Sequence, residues 1–180
     1  MSKLVYHVAT TLDNFICRED GSIDGFLTEG DHLEDYAESL KGYERVIMGK
    51  ATYEFGYGFG LKPGTPPYPW MKNYIFSKTI RITEPLDERV IIVRGDAVPF
   101  VRKLKKEEGP PIYLCGGGNF AATLLAHQLI DTLIVKLNPI LFGKGIRLFG
   151  NSQKGVNLTL QESKPYRSGV VLLTYAIPHR

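Results

Sequence analysis

The hydrophobic residues of this 180-residue chain are concentrated in short segments, which are separated by stretches containing Gly, Pro and Asp. These segments are rich in Val, Ile, Leu and Tyr and too short for typical helices, so they predict buried β-strands. The predicted strands are residues 4–10, 45–48, 73–76, 90–93, 112–115 and 133–137. Residues 13–30 and 55–69 lack this pattern and are predicted to be long loops, which in compact domains are often functional.

Helical periodicity occurs between several of these strands. Residues 32–40 form the first predicted helix, for which Asp31 is placed as the N-cap. The apolar face of this helix consists of Leu33, Tyr36, Ala37 and Leu40. Residues 99–106 and 120–128 are predicted to form two further helices.

The order of these elements predicts the fold class. Strands that alternate with helices indicate an α/β fold with a mixed, mostly parallel sheet flanked by helices. Residues 158–163 and 170–176 alternate apolar and polar positions and predict an antiparallel C-terminal hairpin. We find no linker or repeat, so residues 1–180 are predicted to form one domain.

Composition narrows the class of protein. Hydrophobic residues make up 43% of the chain and the net charge is +3, which predicts a sizeable core and no binding of nucleic acid. No apolar run approaches the ~18 residues of a membrane span, and the N-terminus does not resemble a secretory signal. Cys17 and Cys115 lie far apart and outside any CxxC motif. We therefore expect reduced thiols, a cytoplasmic location and no metal site.

Three predicted strands end in residues suited to bind phosphate groups. These residues are Gly49, Lys50 and Thr52; Ser77 and Lys78; and Gly116, Gly117, Gly118, Asn119 and Phe120. Glycine permits close approach of a ligand to the backbone, and a helix N-terminus offers free N–H groups to an anion. A plain turn at the glycines and solvated lysines are the alternative interpretation. The glycine spacing differs from the usual dinucleotide fingerprint.

Together these segments resemble dihydrofolate reductase. The matching segments are V-I-M-G-K-x-T-x-E over residues 46–54, K-N-x-I-x-S over residues 72–77, and a strand into Gly-Gly-Gly over residues 112–118. The later sequence is more similar to the reductase domain of riboflavin biosynthesis. It contains P-I-L-F-G-K-G-I-R-L-F over residues 139–149 and T-L-D-N over residues 11–14, where that family has S-L-D-G. The zinc-binding residues of the deaminase half are absent, so the chain resembles the stand-alone members.

The resemblance implies a fold, a cofactor and an activity. It implies a dihydrofolate-reductase-like domain that uses NADPH to transfer a hydride to a small heterocyclic substrate. The substrate would be of the pteridine or pyrimidine type and possibly ribosyl-linked, as for 5-amino-6-(5-phosphoribosylamino)uracil reductase. Positions at the nicotinamide are matched by Ala9 and Ile16. Positions at the cofactor phosphates are matched by Gly49, Lys50 and Thr52, and positions near the adenosine phosphate are matched by Ser77 and Lys78. Residues 116–120 match the pyrophosphate turn.

The preference for NADPH over NADH rests on positive charge near the predicted 2′-phosphate site. Lys50 and Lys78 are cations at two strand ends, and Arg94 follows residues 90–93 as a third. An NADH site of the dinucleotide-fold kind would place an acidic residue against the ribose. A homodimer is expected from the same resemblance and from apolar strand residues of the C-terminal half that we predict to be exposed. These are Val170, Leu172 and Leu173.

The carboxylate that binds the pterin in folate-reducing enzymes has no clear counterpart. An ungapped count places Leu33 at that position, with Asp31, Glu34 and Asp35 nearby. Asp13 is the candidate for substrate contact and proton donation, and an Asx-turn is its alternative role. Dihydrofolate reduction, cofactor binding without turnover and phosphoryl transfer are the alternative functions, the last opposed by the absence of a P-loop.

Overall fold

The computed structural model describes residues 1–152 and 155–179. The strands are Leu4–Thr11 (β1), Phe15–Cys17 (β2), Arg45–Gly49 (β3), Lys72–Phe76 (β4), Val90–Val93 (β5), Ile112–Gly116 (β6), Thr132–Asn138 (β7), Ile146–Arg147 (β8), Thr159–Pro165 (β9) and Val171–Ala176 (β10). The helices are His32–Leu40 (α1), Lys50–Phe55 (α2), Ala97–Lys106 (α3) and Gly118–Ala126 (α4), and Gly56–Phe59 forms a 3₁₀ turn.

Eight of the strands form one mixed sheet in the order β5-β4-β3-β6-β1-β7-β10-β9. The six strands β5, β4, β3, β6, β1 and β7 are parallel to one another, whereas β10 is antiparallel to both β7 and β9. The prediction of a mostly parallel α/β sheet with an antiparallel C-terminal hairpin is therefore confirmed.

Alternation along the strands produces a core on each face of the sheet, because successive side chains of a strand point to opposite faces. Leu4 and Tyr6 of β1 pack into one core, which also contains Val101 of α3 and Leu124 of α4. Val5 of β1 packs into the other core, which also contains residues of α1 and α2. Because both faces are covered, the central strands are apolar at nearly every position.

Local features of the first helix differ from the sequence prediction. Asp31 makes no side-chain capping bond to α1, so its predicted capping role is wrong. Its carboxylate instead accepts a bond of 3.4 Å from the backbone N–H of Arg167. Ala37 is exposed, and the fully buried residues of α1 are His32 and Leu40. The helix is rotated so that His32 replaces Ala37 on the buried face.

Part of the predicted loop over residues 13–30 pairs with a distant segment. Strand β2 forms a separate two-stranded antiparallel sheet with β8. Next to it, Phe15, Phe26 and Phe142 form a small apolar cluster. The 3₁₀ turn likewise lies in a predicted loop. These elements are too short for a periodic signal, and the pairing of β2 with β8 depends on contacts between distant parts of the chain.

The C-terminal hairpin forms the outer edge of the sheet. Every described side chain of β9 is exposed, including Leu160. Val170, in contrast, is completely buried, so the prediction that it is exposed and available to a partner is wrong. Leu172 and Leu173 are half-buried.

Candidate functional site

A crevice opens between the central strands where the strand order reverses. The pairing of β1 with β6 ends at Tyr6 and Leu114, whereas the pairing of β1 with β7 continues to Thr11 and Asn138. Strands β1 and β6 therefore separate toward their carboxyl ends. Such a switch point is the usual ligand site of an open α/β sheet.

This crevice is part of a cavity of about 920 Å³. Its lining comes from the ends of β1, β3, β6 and β7, from helices α1, α2 and α4, and from the segment around β2. A cavity of this size is at the upper end of the range for small-molecule and cofactor sites. We distinguish two parts of its lining, a glycine wall and a tyrosine wall.

The glycine wall consists of Gly49, Gly116, Gly117 and Gly118, which all line the cavity. A Cβ added at Gly116 or Gly117 would lie 3.3 Å from Thr52 Oγ1, and one at Gly118 would clash with the carbonyl oxygen of Arg147. Gly116 also has φ of +147°, which L side chains rarely adopt. Close packing and backbone conformation therefore both require glycine in this turn.

Helix α4 begins at the glycine wall without a side-chain cap. Its N-cap is Gly117, which makes no side-chain capping hydrogen bond. Gly118, Asn119 and Phe120 of its first turn line the cavity. An uncapped helix N-terminus presents N–H donors and a partial positive charge, which is the local chemistry that binds phosphate.

A lysine directly follows Gly49 of the glycine wall and lines the cavity. Lys50 begins α2, and its ammonium lies 3.6 Å from Glu54 Oε1. Both side chains are about two-fifths exposed, so this ion pair is open to solvent and weak. The ammonium of Lys50 is therefore free to turn toward an anionic ligand.

The tyrosine wall consists of polar side chains from four elements and the loop that precedes β4. Its members are His7, Tyr36, Tyr68, Tyr113, Cys115 and Lys136. The hydroxyls of Tyr36 and Tyr113 are 3.1 Å apart, and the Tyr68 hydroxyl lies 3.4 Å from Cys115 Sγ. Burial raises the pKa of all three tyrosines. Their hydroxyls stay protonated and can donate hydrogen bonds.

His7 is the most unusual member of the tyrosine wall. Its side chain is buried, and its ring packs edge-on against Tyr36 with centroids 5.2 Å apart. Within the described residues, Nδ1 is buried and has no hydrogen-bond partner. Burial, with a smaller contribution from Lys136, lowers the pKa of His7 to about 4. The imidazole is therefore neutral at physiological pH.

Most of the residues predicted to bind the cofactor meet in this cavity. They are Ala9, Ile16, Gly49, Lys50, Thr52, Gly116, Gly117, Gly118, Asn119 and Phe120. Ser77 and Lys78 do not belong to its lining. The Ser77 hydroxyl accepts bonds from the N–H groups of Thr79 and Ile80, and Lys78 lies 3.6 Å from Asp96.

Arg94 is also occupied away from the cavity. Its guanidinium donates to the backbone carbonyls of Lys78 and Ile80 at 3.4 and 3.1 Å. Asp96, beside Lys78, places a carboxylate in the region for which the sequence predicted only cations. On this side of the cavity, Lys50 supplies positive charge to the lining.

Asp13 holds two loops together and lies outside the cavity lining. Its carboxylate accepts bonds from Thr11 Oγ1 at 2.5 Å, from the N–H of Gly143 at 2.8 Å and from the N–H of Phe142 at 3.2 Å. These bonds lower the pKa of Asp13, and the bond from the Thr11 hydroxyl contributes most. To donate a proton to a substrate, Asp13 would have to be protonated and to leave these hydrogen bonds.

The acidic residues of α1 do not supply the missing folate-type carboxylate. Asp35 accepts bonds from Lys164 and from the hydroxyl of Tyr166, and these bonds lower its pKa. Glu34 is exposed, and neither residue belongs to the lining of the large cavity. Tyr36 is the α1 residue that lines it, so a hydroxyl replaces a carboxylate at this wall.

Sequence reasoning missed most of the tyrosine wall. It predicts Tyr36 on the apolar face of α1, without a role in the site. A signal was present at Lys136, a lysine within the otherwise apolar strand segment L-I-V-K-L. A charge at such a position is costly to bury unless it contacts a partner or a cavity.

Comparisons with known proteins identify the family of this chain. A model of the RibD C-terminal domain matches residues 2–172. The Bacillus subtilis protein YwjB is 31% identical over 173 residues, which cover 94% of this chain and 95% of YwjB.

No helix within residues 1–152 and 155–179 has the length and apolarity to span a membrane, and the same residues include no group of three or more potential metal ligands.

Two solved structures share the fold. A candidate riboflavin biosynthesis protein from Shewanella sp. PV-4 superposes with a TM-score of 0.82 at 21% identity, covering 99% of this chain and 100% of that one. Dihydrofolate reductase from Enterococcus faecalis, in complex with NADP(H), superposes with a TM-score of 0.70 at 17% identity, covering 98% and 97%. With its dihydrofolate-reductase-like sheet and the sequence match over residues 2–172, the chain belongs to the RibD C-terminal domain family.

Proposed function

We propose that this protein is an NADPH-dependent reductase that transfers a hydride to a small heterocyclic substrate of the pyrimidine or pteridine type. The observation that carries the proposal is the meeting of two unlike walls in one cavity. The glycine wall offers backbone donors and Lys50 to a phosphate-bearing ligand, and the tyrosine wall offers protonated hydroxyls and aromatic faces to a flat ring. Membership of the RibD C-terminal domain family supports the same activity.

The residues present fit a nicotinamide dinucleotide. The close approach of Gly116 and Gly117 to Thr52 leaves a surface of bare backbone, and the uncapped start of α4 adds N–H donors. These groups would hold the pyrophosphate, with Lys50 as the cation. Ala9 and Ile16 line the cavity where the family resemblance places the nicotinamide. When bound, the cofactor supplies the hydride.

The protein's own residues would position the substrate and exclude water. Tyr36, Tyr68 and Tyr113 present a largely buried aromatic surface with donor hydroxyls, so a carbonyl or ring nitrogen can be bound without a carboxylate. Cys115 has its pKa raised by burial and stays a neutral thiol. This wall suits stabilisation of charge that develops on a substrate oxygen or nitrogen.

The decisive experiment has two steps. NADPH and NADH are first titrated into the protein with nucleotide fluorescence as the readout, and NADPH should bind at least tenfold more tightly. NADPH oxidation is then followed with 5-amino-6-(5-phosphoribosylamino)uracil and with dihydrofolate. We expect oxidation with the first compound and little with the second, because no α1 carboxylate lines the cavity. A protein that binds neither nucleotide would overturn the reductase proposal.

A binding protein without turnover is the second candidate function. It is favoured only by the engagement of Asp13 in three hydrogen bonds outside the cavity lining. Tight NADPH binding with no oxidation by any pyrimidine or pteridine tested would support that function over the reductase.

A further inference from the structure

Lys136 places a charge in the cavity without a counter-ion. It lies on β7, next to β1, and its side chain is about half-buried. Its ammonium donates one bond, of 3.3 Å, to the backbone carbonyl of Leu27. Among the described residues it takes part in no ion pair. Burial lowers the pKa of Lys136, as expected for a charge that gives up water without gaining a partner.

The carboxylates near the two cavities that Lys136 lines are engaged elsewhere. Glu54 lies near Lys50, Glu19 pairs with Lys144 at 3.0 Å, and Asp20 accepts a bond from the N–H of Ser22. Asp35 lies on a small second cavity that Lys136 also lines, but it is bonded to Lys164 and Tyr166. Protein interiors pair their buried charges, so an unpaired ammonium in a cavity indicates that a ligand supplies the partner.

The neighbours of Lys136 add donors to the same region. His7 and Tyr36 line both cavities together with Lys136. The Tyr36 hydroxyl stays protonated, and the unpartnered Nδ1 of His7 is available to a polar group. One fixed positive charge, one hydroxyl donor and one neutral imidazole together favour a ligand edge that presents oxygen acceptors.

We propose that Lys136 is the specificity-determining residue of the tyrosine wall and selects substrates whose ring edge carries oxo groups over those whose edge carries amino groups. An oxo-substituted pyrimidine edge accepts hydrogen bonds and carries negative charge density, which the ammonium of Lys136 complements. An amino-substituted edge directs N–H donors at a cation and leaves both unpaired. The proposal deepens the proposed function, since it names the substrate class of that site, but it concerns ligand binding and not turnover.

The test uses two probes with the same pyrimidine ring, 5,6-diaminouracil and 2,4,5,6-tetraaminopyrimidine. At ring positions 2 and 4 the first carries oxo groups and the second carries amino groups. Binding to the full chain is measured by calorimetry, with and without NADP⁺. We expect the wild type to favour diaminouracil by at least tenfold. Lys136→Met should weaken the binding of diaminouracil roughly tenfold to a hundredfold, because one charged hydrogen bond is lost, and should change the binding of tetraaminopyrimidine little. Lys136→Glu should reverse the preference.

Further variants separate this proposal from the reductase proposal and from damage to the fold. Lys103→Met removes an exposed lysine of α3 and should leave the binding of both probes unchanged. Lys50→Met should weaken NADPH and not diaminouracil. Equal affinity of the wild type for the two probes, failure of both to bind, or unchanged preference in Lys136→Met would overturn the role of Lys136. Absence of NADPH binding, with the probe preference intact, would overturn the reductase proposal and leave this one standing.

Discussion

Substitution of Gly49 by alanine tests the glycine wall with little strain on the fold. Gly49 has φ −80° and ψ 164°, an extended conformation that any residue adopts. A Cβ there would lie 3.8 Å from Phe120 Cβ and 3.9 Å from the backbone nitrogen of Gly117. These are ordinary contact distances, so the methyl group fits against the protein. It occupies space beside the Gly117 N–H that a phosphate group would have to enter.

The size of the effect follows from the contact that is lost. A hydrogen bond to a charged phosphate is worth about 1.5–3 kcal/mol, so the dissociation constant for NADPH should rise roughly tenfold to a hundredfold. Gly49 is also the N-cap of α2, where alanine costs a helix about 1 kcal/mol relative to preferred caps. For a chain of this length that corresponds to a fall of about 2–4 °C in Tm.

The assay is a fluorescence titration of NADPH beside a thermal melt. Gly58→Ala is the matched control, because a Cβ at Gly58 has no neighbour within 4 Å and the residue is exposed. We expect Gly58→Ala to bind NADPH like the wild type and Gly49→Ala to bind it at least tenfold more weakly. If Gly49→Ala keeps its affinity while its fold is intact, the glycine wall does not bind the cofactor.

Four further predictions concern charge and assembly. Lys50→Ala should raise the dissociation constant for NADPH about tenfold, and less so at high salt, because it removes the cation at the pyrophosphate. Lys78→Ala should change this constant less than about threefold, and an unchanged affinity of Lys50→Ala in the same fluorescence titration would refute the role of Lys50. Asp13→Asn should lower Tm at neutral pH. The difference in Tm from the wild type should close as the pH falls below about 4, because a carboxylate with a lowered pKa loses its stabilising contribution when it is protonated. A constant difference in Tm in melts across this pH range would contradict the prediction. The His7 ring should show no titration between about pH 5 and 8 by NMR. As the pH falls from about 6.5, the pKa of His7 in the unfolded chain, to about 4, its pKa in the folded chain, the free energy of unfolding should decrease. His7→Phe should abolish that loss of stability. We also propose a homodimer, with exposed Leu160 on the edge strand β9 as a candidate contact; a concentration-independent monomer mass in sedimentation would exclude it.

The sequence by itself determined the main sheet and its helices. The strand residues 46–49 and 112–116 are continuous apolar runs that end in glycine, and this local pattern identifies both the strand and the turn after it. The glycine wall could be predicted because its residues follow two strands directly in sequence. Parallel strands that share a sheet bring their carboxyl ends to one edge, so sequence order is enough to place Gly49 and Gly116 together.

Only the tertiary structure decided the tyrosine wall. Tyr36, Tyr68 and Lys136 come from segments far apart in the chain, and their meeting depends on how α1 and the loop before β4 pack against the separated ends of β1 and β6. The same holds for Asp13, whose partners Phe142 and Gly143 lie far along the chain. Local propensity carries no information on which distant groups a side chain meets, because burial and long-range packing select them. The glycine wall could therefore be predicted from sequence, while the tyrosine wall required the folded chain.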